Sequence, residues 1–231
     1  MISKRYVAVF FYALFLISCF MAFYVFAADK KTTEVPDAFL GKAEGIKVDS
    51  IAPDFTLPNA NGETRSLYTL LEEGPVVLTF YRGGWCPYCN DQLYALQQVL
   101  PEFEELGAQL VAISPEKPES VEDTVLKDGL SFEVLSDVGN KVSRLYDLLW
   151  HVPKEQRKDF SEWLKKSSGK TLAEFNGVDN YELPIPATFV IAQDGTVVYV
   201  FKDKDYKKRA NPDDIMTALE HIADHSPTYN E

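Results

Sequence analysis

Cys86 and Cys89 are the residues of this chain whose type and spacing are most suited to chemistry, because two thiols three positions apart can form and break a disulfide. They end the stretch YRGGWCPYC at residues 81–89. Before it, residues 76–80 read VVLTF, an apolar run typical of a strand buried on both faces. The two glycines that follow allow the backbone to turn sharply.

The residues after this turn predict a helix that carries both thiols in its first turn. Apolar side chains recur at helical spacing at Leu93, Leu96, Leu100 and Phe103. We expect the helix to begin at Cys86 or Pro87, because proline suits a first turn, and to bend at Pro101. The unpaired N–H groups and the positive end of the helix dipole favour a thiolate there, and the thiolate is the nucleophilic form.

Two other uses of a cysteine pair remain open. A structural zinc site needs four ligands, and outside the pair the chain offers only Cys19 near its start and three scattered histidines. A permanent disulfide suits an exported protein, but so short a loop constrains the unfolded chain little. The sequence therefore favours a redox-active disulfide between Cys86 and Cys89, with no metal and no cofactor.

Residues 1–28 predict membrane targeting and lie outside the expected fold. Lys4 and Arg5 precede an apolar stretch whose one clearly polar residue is Ser18. The stretch is long enough to cross a bilayer, so a cleaved signal peptide, an uncleaved anchor and a lipoprotein signal with its lipid on Cys19 all remain open. Each alternative places the rest of the chain outside the cytoplasm, in a bacterial periplasm, with membrane contact only through this segment.

Composition divides the remainder into a linker at residues 29–50, one domain at 51–225 and a tail at 226–231. The chain has 231 residues and a net charge of −12, which becomes −14 once the two basic residues of the N-terminal segment are removed. A surface this acidic repels nucleic acid and anionic lipid, so we expect neither as a partner.

Strands and helices alternate through the domain. Further strands are predicted at residues 52–57, 109–114, 132–135, 187–192 and 197–201, and further helices at 66–72, 120–129, 142–149 and 211–223. Asp194 and Gly195 give a strong hairpin signal between the last two strands. Residues 150–181 are polar, with a helical pattern at 154–166, and we interpret them as an insertion over one edge of the sheet. The whole predicts an α/β fold in which a βαβα half precedes a ββα half.

Several separated blocks resemble one known family. APDFTLPNANGE, FYRGGWCPYCN, AEFNGVDN and LPIPATFVIAQDG are similar to the alkyl hydroperoxide reductase/thiol-specific antioxidant (AhpC/TSA) family, in its peroxiredoxin-like branch with a CxxC motif. The resemblance covers residues 50–223. It implies a thioredoxin-like three-layer sandwich with a central mixed β-sheet, reduction of hydroperoxides, and recycling by a thioredoxin-like donor.

The resemblance also assigns site residues, with two departures. In the superfamily a cis proline opens the second half and packs against the CxxC, and Pro186 matches that position. In the standard peroxiredoxin pattern Cys89 matches the peroxidatic cysteine, but Cys86 replaces a threonine and Pro186 replaces an arginine. Arg82 is the candidate that supplies the missing positive charge, and Trp85 is the candidate lid beside the pair.

Three functions therefore remain. In a peroxiredoxin, Cys89 attacks the peroxide and Cys86 condenses with the sulfenic acid. In a thioredoxin-like oxidoreductase acting on protein disulfides, Cys86 attacks and Cys89 resolves. The third alternative is a non-catalytic binding domain whose CxxC stays oxidised. The family resemblance favours the first, and the charged run DKDYKKR at residues 203–209 is interpreted as a solvated loop.

Overall fold

The structure is a computed structural model, and it describes residues 46–225. The predictions for residues 1–28, for the linker up to residue 45 and for the tail at 226–231 lie outside the described residues. Within residues 46–225, no helix is long and apolar enough to cross a membrane.

A small hairpin and a capped helix begin the domain. Strands β1 (Thr56–Pro58) and β2 (Thr64–Ser66) pair antiparallel, and helix α1 (Leu67–Glu73) follows at once. Ser66 caps this helix because its hydroxyl accepts a hydrogen bond from the N–H of Thr69 at 3.1 Å. The helix predicted at residues 66–72 is thereby confirmed.

The parallel half of the central sheet comes next. Its elements are β3 (Val76–Phe80), α2 (Pro87–Gln98), α3 (Leu100–Glu105), β4 (Gln109–Ser114), α4 (Pro118–Asp128), β5 (Glu133–Ser136) and α5 (Lys141–Leu145). The predicted bend is confirmed: α2 ends at Gln98, and α3 carries Pro101 in its first turn, where a missing N–H costs nothing. Helix α4 begins at Pro118, two residues before the predicted start at Ser120.

Residues 149–184 connect the two halves of the sheet. They contain β6 (Leu149–His151), a short 3₁₀ turn (Lys154–Gln156), α6 (Arg157–Ser168), α7 (Leu172–Asn176) and β7 (Glu182–Pro184). The helical pattern predicted at 154–166 is confirmed. The helix predicted at 142–149 is too long, because Leu149 belongs to β6 and pairs with Pro184 of β7.

A hairpin and a final helix complete the fold. Strands β8 (Ala187–Ile191) and β9 (Val197–Lys202) flank the predicted turn, and α8 (Pro212–His225) follows. The central sheet has the order β5-β4-β3-β8-β9, in which β3 pairs parallel with β4 and antiparallel with β8. This mixed sheet confirms the predicted topology.

The sheet is covered on both faces. On one face, Val77 of β3 packs with Leu93 of α2 and Leu219 of α8 in one core cluster. On the other, Phe80 packs with Tyr146 and Phe189, with ring centroids 5.1 and 6.0 Å away. Helices on both sides of the sheet give the predicted three-layer sandwich.

The expectation of a cis peptide before Pro186 is wrong. Within residues 46–225 every peptide bond is trans. Strand β7 ends at Pro184, β8 begins at Ala187, and between them Ile185 N–H donates to Leu148 O at 2.6 Å. Because the chain makes no tight turn there, nothing offsets the ordinary preference for the trans form.

Candidate active site

The turn between β3 and α2 places both thiols at the head of a helix. Tyr81 N–H donates to Ile113 O and extends the sheet by one residue, and Gly83 then adopts a φ of 143° that other residues rarely reach. Cys86 is the residue that precedes the first turn of α2, and the N–H of Cys89 donates to its carbonyl at 3.0 Å. The helix predicted to begin at Cys86 or Pro87 is thus confirmed.

The peptide group of Gly84 anchors this turn to the rest of the domain. Its N–H donates to Glu116 Oε2 at 3.0 Å, and its carbonyl accepts from Asn90 Nδ2 at 3.0 Å. A Cβ at this position would lie 2.0 Å from Thr124 Oγ1 on α4. The turn therefore needs glycine here for close packing.

Glu116, which no sequence argument identified, is fully buried behind the turn. Besides the N–H of Gly84, its Oε2 accepts from Ser114 Oγ at 3.1 Å. Burial raises the pKa of this carboxyl to about 7, and the hydrogen bond from Gly84 opposes the shift. A glutamate two residues after a buried strand resembles any loop carboxylate, so the sequence carried no signal for it.

Both cysteines are free thiols, with exposures of 2% for Cys86 and 0% for Cys89. The pKa of Cys86 falls to about 6, because the Cys89 thiol donates a hydrogen bond to it and Arg82 adds a positive charge; burial opposes this shift. Burial raises the pKa of Cys89 well above its ordinary value, and its hydrogen bond to Cys86 adds to the shift. The opposite shifts favour ionisation of Cys86 over ionisation of Cys89.

Arg82 lies beside Cys86, in a cage of three aromatic rings. Its guanidinium carbon is 5.3 Å from the ring centroid of Trp85, 5.6 Å from that of Trp150 and 4.4 Å from that of Tyr206. Although only 6% of Arg82 is exposed, its Nε has no hydrogen-bond partner, and no carboxylate of residues 46–225 pairs with it. A buried guanidinium with free N–H groups can bind an oxygen that becomes negatively charged.

A pocket of about 430 Å³ opens onto Cys86. Most of its wall is apolar or aromatic, and residues 149–184 supply much of it. The lining residues are Arg82, Trp85, Cys86, Pro87, Tyr88, Trp150, Val152, Gln156, Phe160, Trp163 and Tyr206. Cys89 and Pro186 are not among them.

Trp85 joins the turn to helix α6 above it. Its ring centroid is 5.6 Å from that of Phe160 and 6.1 Å from that of Trp163, both in edge-to-face geometry. The structure thus brings three of the predicted site residues, Arg82, Trp85 and Cys86, together at one pocket.

The interpretation of residues 203–209 as a solvated loop is wrong for two of its residues. Arg209 Nη2 donates a hydrogen bond to Cys89 Sγ at 3.4 Å, and Tyr206 packs on Arg82. The lysines of the same loop are exposed, as predicted. The only available signal was an aromatic residue inside a basic run, and it is too common to identify a site.

Among residues 46–225, no group of three or more His, Cys, Asp or Glu side chains is placed to hold a metal ion.

A mixed central sheet with a CxxC pair at the head of the helix that follows β3 defines the thioredoxin-like class of thiol proteins. The sequence model of the AhpC/TSA family matches residues 48–200 of the chain. The chain therefore belongs to the AhpC/TSA family.

Similar proteins support this assignment. Peroxiredoxin Bcp of Escherichia coli (strain K12) is 30% identical over 159 residues, which cover 68% of this chain and 86% of that protein. A chloroplastic peroxiredoxin Q of Populus jackii is 37% identical over 101 residues, covering 44% of this chain and 45% of that protein. With these relatives, the chain is a thiol peroxidase of the peroxiredoxin type.

Solved structures of other peroxiredoxins share this fold. The crystal structure of peroxidoxin BcpB from Mycobacterium tuberculosis superposes with a TM-score of 0.60 at 24% identity, covering 77% of this chain and 98% of that one. A structure of Xanthomonas campestris peroxiredoxin Q gives a TM-score of 0.54 at 20% identity, covering 73% and 91%. At these identities the likeness shows the thioredoxin-like fold alone.

Proposed function

We propose that the chain reduces organic hydroperoxides through a dithiol–disulfide cycle in which Cys86 attacks and Cys89 resolves. The observation that carries this order is the pocket, because it opens onto Cys86 and excludes Cys89. The two pKa shifts agree with it, since they favour ionisation of Cys86. The order is the reverse of the one that the family's cysteine position implies.

The first step forms a sulfenic acid. The Cys86 thiolate bonds to one peroxide oxygen, the O–O bond breaks, and the other oxygen leaves with its organic group and takes a proton from water to become an alcohol. Negative charge develops on the leaving oxygen. The guanidinium of Arg82 stabilises it, because its free N–H groups lie in a largely water-excluded site.

The second step closes the disulfide and releases water. The Cys89 sulfur bonds to the Cys86 sulfur, the S–O bond breaks, and the hydroxyl leaves with the proton of Cys89. A thioredoxin-like dithiol donor then reduces the disulfide and is itself oxidised. Cys86 is the sulfur that this donor attacks, because it is the one reached through the pocket.

The wall of the pocket supports an apolar substrate group. Its aromatic side chains offer contact to a hydrocarbon body, and none of its lining residues is acidic. Hydrogen peroxide gains nothing from such a wall, so organic hydroperoxides are the better substrates.

Rapid mixing of the reduced protein with cumene hydroperoxide tests the order of the cysteines. We expect fast oxidation in the wild type and in Cys89→Ser, where dimedone traps a sulfenic acid on Cys86, and loss of the reaction in Cys86→Ser. Fast oxidation in Cys86→Ser together with its loss in Cys89→Ser would establish the reverse order. Reaction no faster than that of a free thiol in every variant would exclude the peroxidase.

A second candidate is a thiol:disulfide oxidoreductase acting on protein disulfides. It is favoured by a thiolate at Cys86 next to a buried Cys89 thiol, and by Cys86 and Pro186 standing where peroxiredoxins have threonine and arginine. In this case Cys89→Ser accumulates a mixed disulfide with insulin, and wild-type turnover with insulin exceeds that with cumene hydroperoxide.

We further propose that residues 1–28 export or anchor the domain, which then works outside the cytoplasm. Support comes from the basic start and the apolar stretch of this segment. The donor must then be extracytoplasmic too. Labelling of the thiols in intact cells by a membrane-impermeant maleimide checks the location, and no labelling before lysis would contradict it.

A further inference from the structure

We infer that Arg209 is a catalytic residue of the second step: its guanidinium stabilises the Cys89 thiolate and so controls how fast the disulfide closes. The inference rests on the proposed function, in which Cys89 is the resolving thiol. It also assigns a role to the loop at residues 203–209, for which the sequence shows only a run of charged residues.

Arg209 contacts Cys89 directly, and the cysteine is fully buried. Arg209 Nη2 lies 3.4 Å from Cys89 Sγ, and Cys89 has no exposed surface. The other groups that face Cys89 are the Cys86 thiol, the buried hydroxyl of Tyr81 and the backbone N–H of Arg82. Arg209 is the one cation that donates a side-chain hydrogen bond to this sulfur within the described part of the chain.

Cys89 needs such a cation because its surroundings oppose ionisation. Burial raises its pKa, and a thiolate at Cys86 raises it further. The attacking species in disulfide formation is the thiolate, so a buried neutral thiol reacts slowly. Once Cys86 has become a sulfenic acid its negative charge is gone, and Arg209 remains to favour the loss of the Cys89 proton. That proton leaves with the hydroxyl of Cys86 as water, so no further reactant is required.

The loop between β9 and α8 holds Arg209 in this position. Arg209 Nη1 donates to the backbone carbonyls of Tyr206 and Lys208, and Lys208 Nζ pairs with Asp203 Oδ2 at 2.9 Å. No carboxylate of residues 46–225 pairs with Arg209, so its charge is available to the sulfur. Arg209 thus bonds directly to Cys89, whereas Arg82 has the larger electrostatic effect on Cys86.

Separate rates for the two steps test the inference on the full-length reduced protein. Arg209→Gln, Arg209→Lys and the control Lys204→Gln, at an exposed lysine of the same loop, are mixed with cumene hydroperoxide. Loss of peroxide reports the first step, and the fraction of Cys86 trapped by dimedone against time reports closure. For Arg209→Gln we expect a first step within about twofold of wild type and closure slowed about tenfold or more, the effect of losing a charge-assisted hydrogen bond.

The companion variants and the pH profile separate a chemical role from a structural one. Arg209→Lys recovers part of the closure rate because it keeps the charge, and Lys204→Gln closes like wild type. The pH at which closure is half-maximal moves upward in Arg209→Gln, because a neutral side chain no longer lowers the pKa of Cys89. Since Arg209 lies on a partly exposed loop, circular dichroism is expected to show an unchanged fold.

Three other results overturn the inference in distinguishable ways. Unchanged closure in Arg209→Gln removes the role of Arg209 and leaves the proposed function intact. A slowed first step, with dimedone on Cys89 instead of Cys86, refutes the order of the cysteines as well. No reaction with peroxide in wild type refutes the proposed function itself.

Discussion

Cys86 and Cys89 lie within one turn of helix α2, yet their surroundings shift their thiol pKa values in opposite directions. Cys86 receives a hydrogen bond from Cys89 and the charge of Arg82, and it faces the pocket. Cys89 lies deeper, where burial dominates. The opposite pKa shifts of two identical side chains therefore follow from their different depths and hydrogen bonds.

The low pKa of Cys86 predicts how its reactivity depends on pH. Because the thiolate is the reactive form, the rate of alkylation of Cys86 by iodoacetamide should rise with pH to a half-maximum at about 6, far below the ordinary value of 9.0. Arg82→Gln removes a stabilising charge, so the half-maximum moves upward and alkylation at neutral pH slows. Arg82→Lys is the matched control and keeps most of the shift. Mass spectrometry of the Cys86 peptide from about pH 4 to about pH 9 gives the profile, and an identical profile in Arg82→Gln would show that the arginine does not act on the thiol.

At the residue scale, the sequence predicts site residues that lie close together in the chain and misses those that only the tertiary fold brings together. Arg82, Trp85, Cys86 and Cys89 belong to one stretch, so their types and the helix that follows were enough to predict a site. Arg209 is 120 residues from its partner Cys89, and only the tertiary fold brings the two together. No local pattern distinguishes it from the exposed lysines beside it.

Helix α6 and its flanking residues form much of the wall of the pocket beside the CxxC motif. Phe160 and Trp163 are three residues apart on α6, so they project from the same face and meet Trp85. The sequence predicts a helix here from its polar pattern but not which side faces the cysteines, because Leu164 is the only fully buried residue of α6. The substrate wall is thus built mostly from half-buried aromatic side chains.

Truncation of Trp163 should lower the activity with a bulky organic hydroperoxide more than the activity with hydrogen peroxide. The side chain is 44% exposed at the rim of the pocket, so Trp163→Ala removes wall area without opening the core. We expect kcat/KM for cumene hydroperoxide to fall about threefold to tenfold, because part of the apolar contact is lost, and that for hydrogen peroxide to stay within about twofold. Trp163→Phe and the exposed Lys158→Ala on the same helix serve as controls. Equal losses for both peroxides would mean that the wall does not bind the organic group.

The elements that the sequence predicts well are those with strong local signals. Strand β4 occupies the predicted residues, and the β8–β9 hairpin forms around Asp194 and Gly195. The incorrect predictions lie where contacts between residues distant in the chain determine the local structure. Helix α5 ends early because β6 pairs with β7, and the peptide before Pro186 is trans.

At the scale of the whole molecule, an acidic chain buries two carboxyls completely within residues 46–225, Glu116 and Asp137. The net charge is −12. Both oxygens of Asp137 accept hydrogen bonds, from Val142 N–H and from Ser143, but Glu116 is only partly satisfied. Its Oε1 has no hydrogen-bond partner, and no cation of residues 46–225 forms an ion pair with it. An ionised carboxylate in such a place costs stability, and its raised pKa is the measure of that cost.

The stability of the domain should therefore fall as the pH rises through the range in which Glu116 ionises. Its pKa is about 7 in the folded protein and near the ordinary 4.5 when unfolded, so the folded state binds the extra proton between these values. This contribution is complete below about pH 4.5, is lost by about pH 7, and amounts to on the order of 3 kcal/mol.

Glu116→Gln isolates this effect, because the amide oxygen can still accept from Gly84 N–H and Ser114 Oγ but never ionises. We expect the variant to gain stability over wild type between about pH 5 and about pH 8, as measured by urea unfolding of the reduced proteins. The exposed Glu122→Gln on α4 controls for the loss of one acidic group and should show a pH-independent difference. Since all other groups titrate alike in both proteins, a constant difference between Glu116→Gln and wild type would mean that folding does not raise the pKa of Glu116.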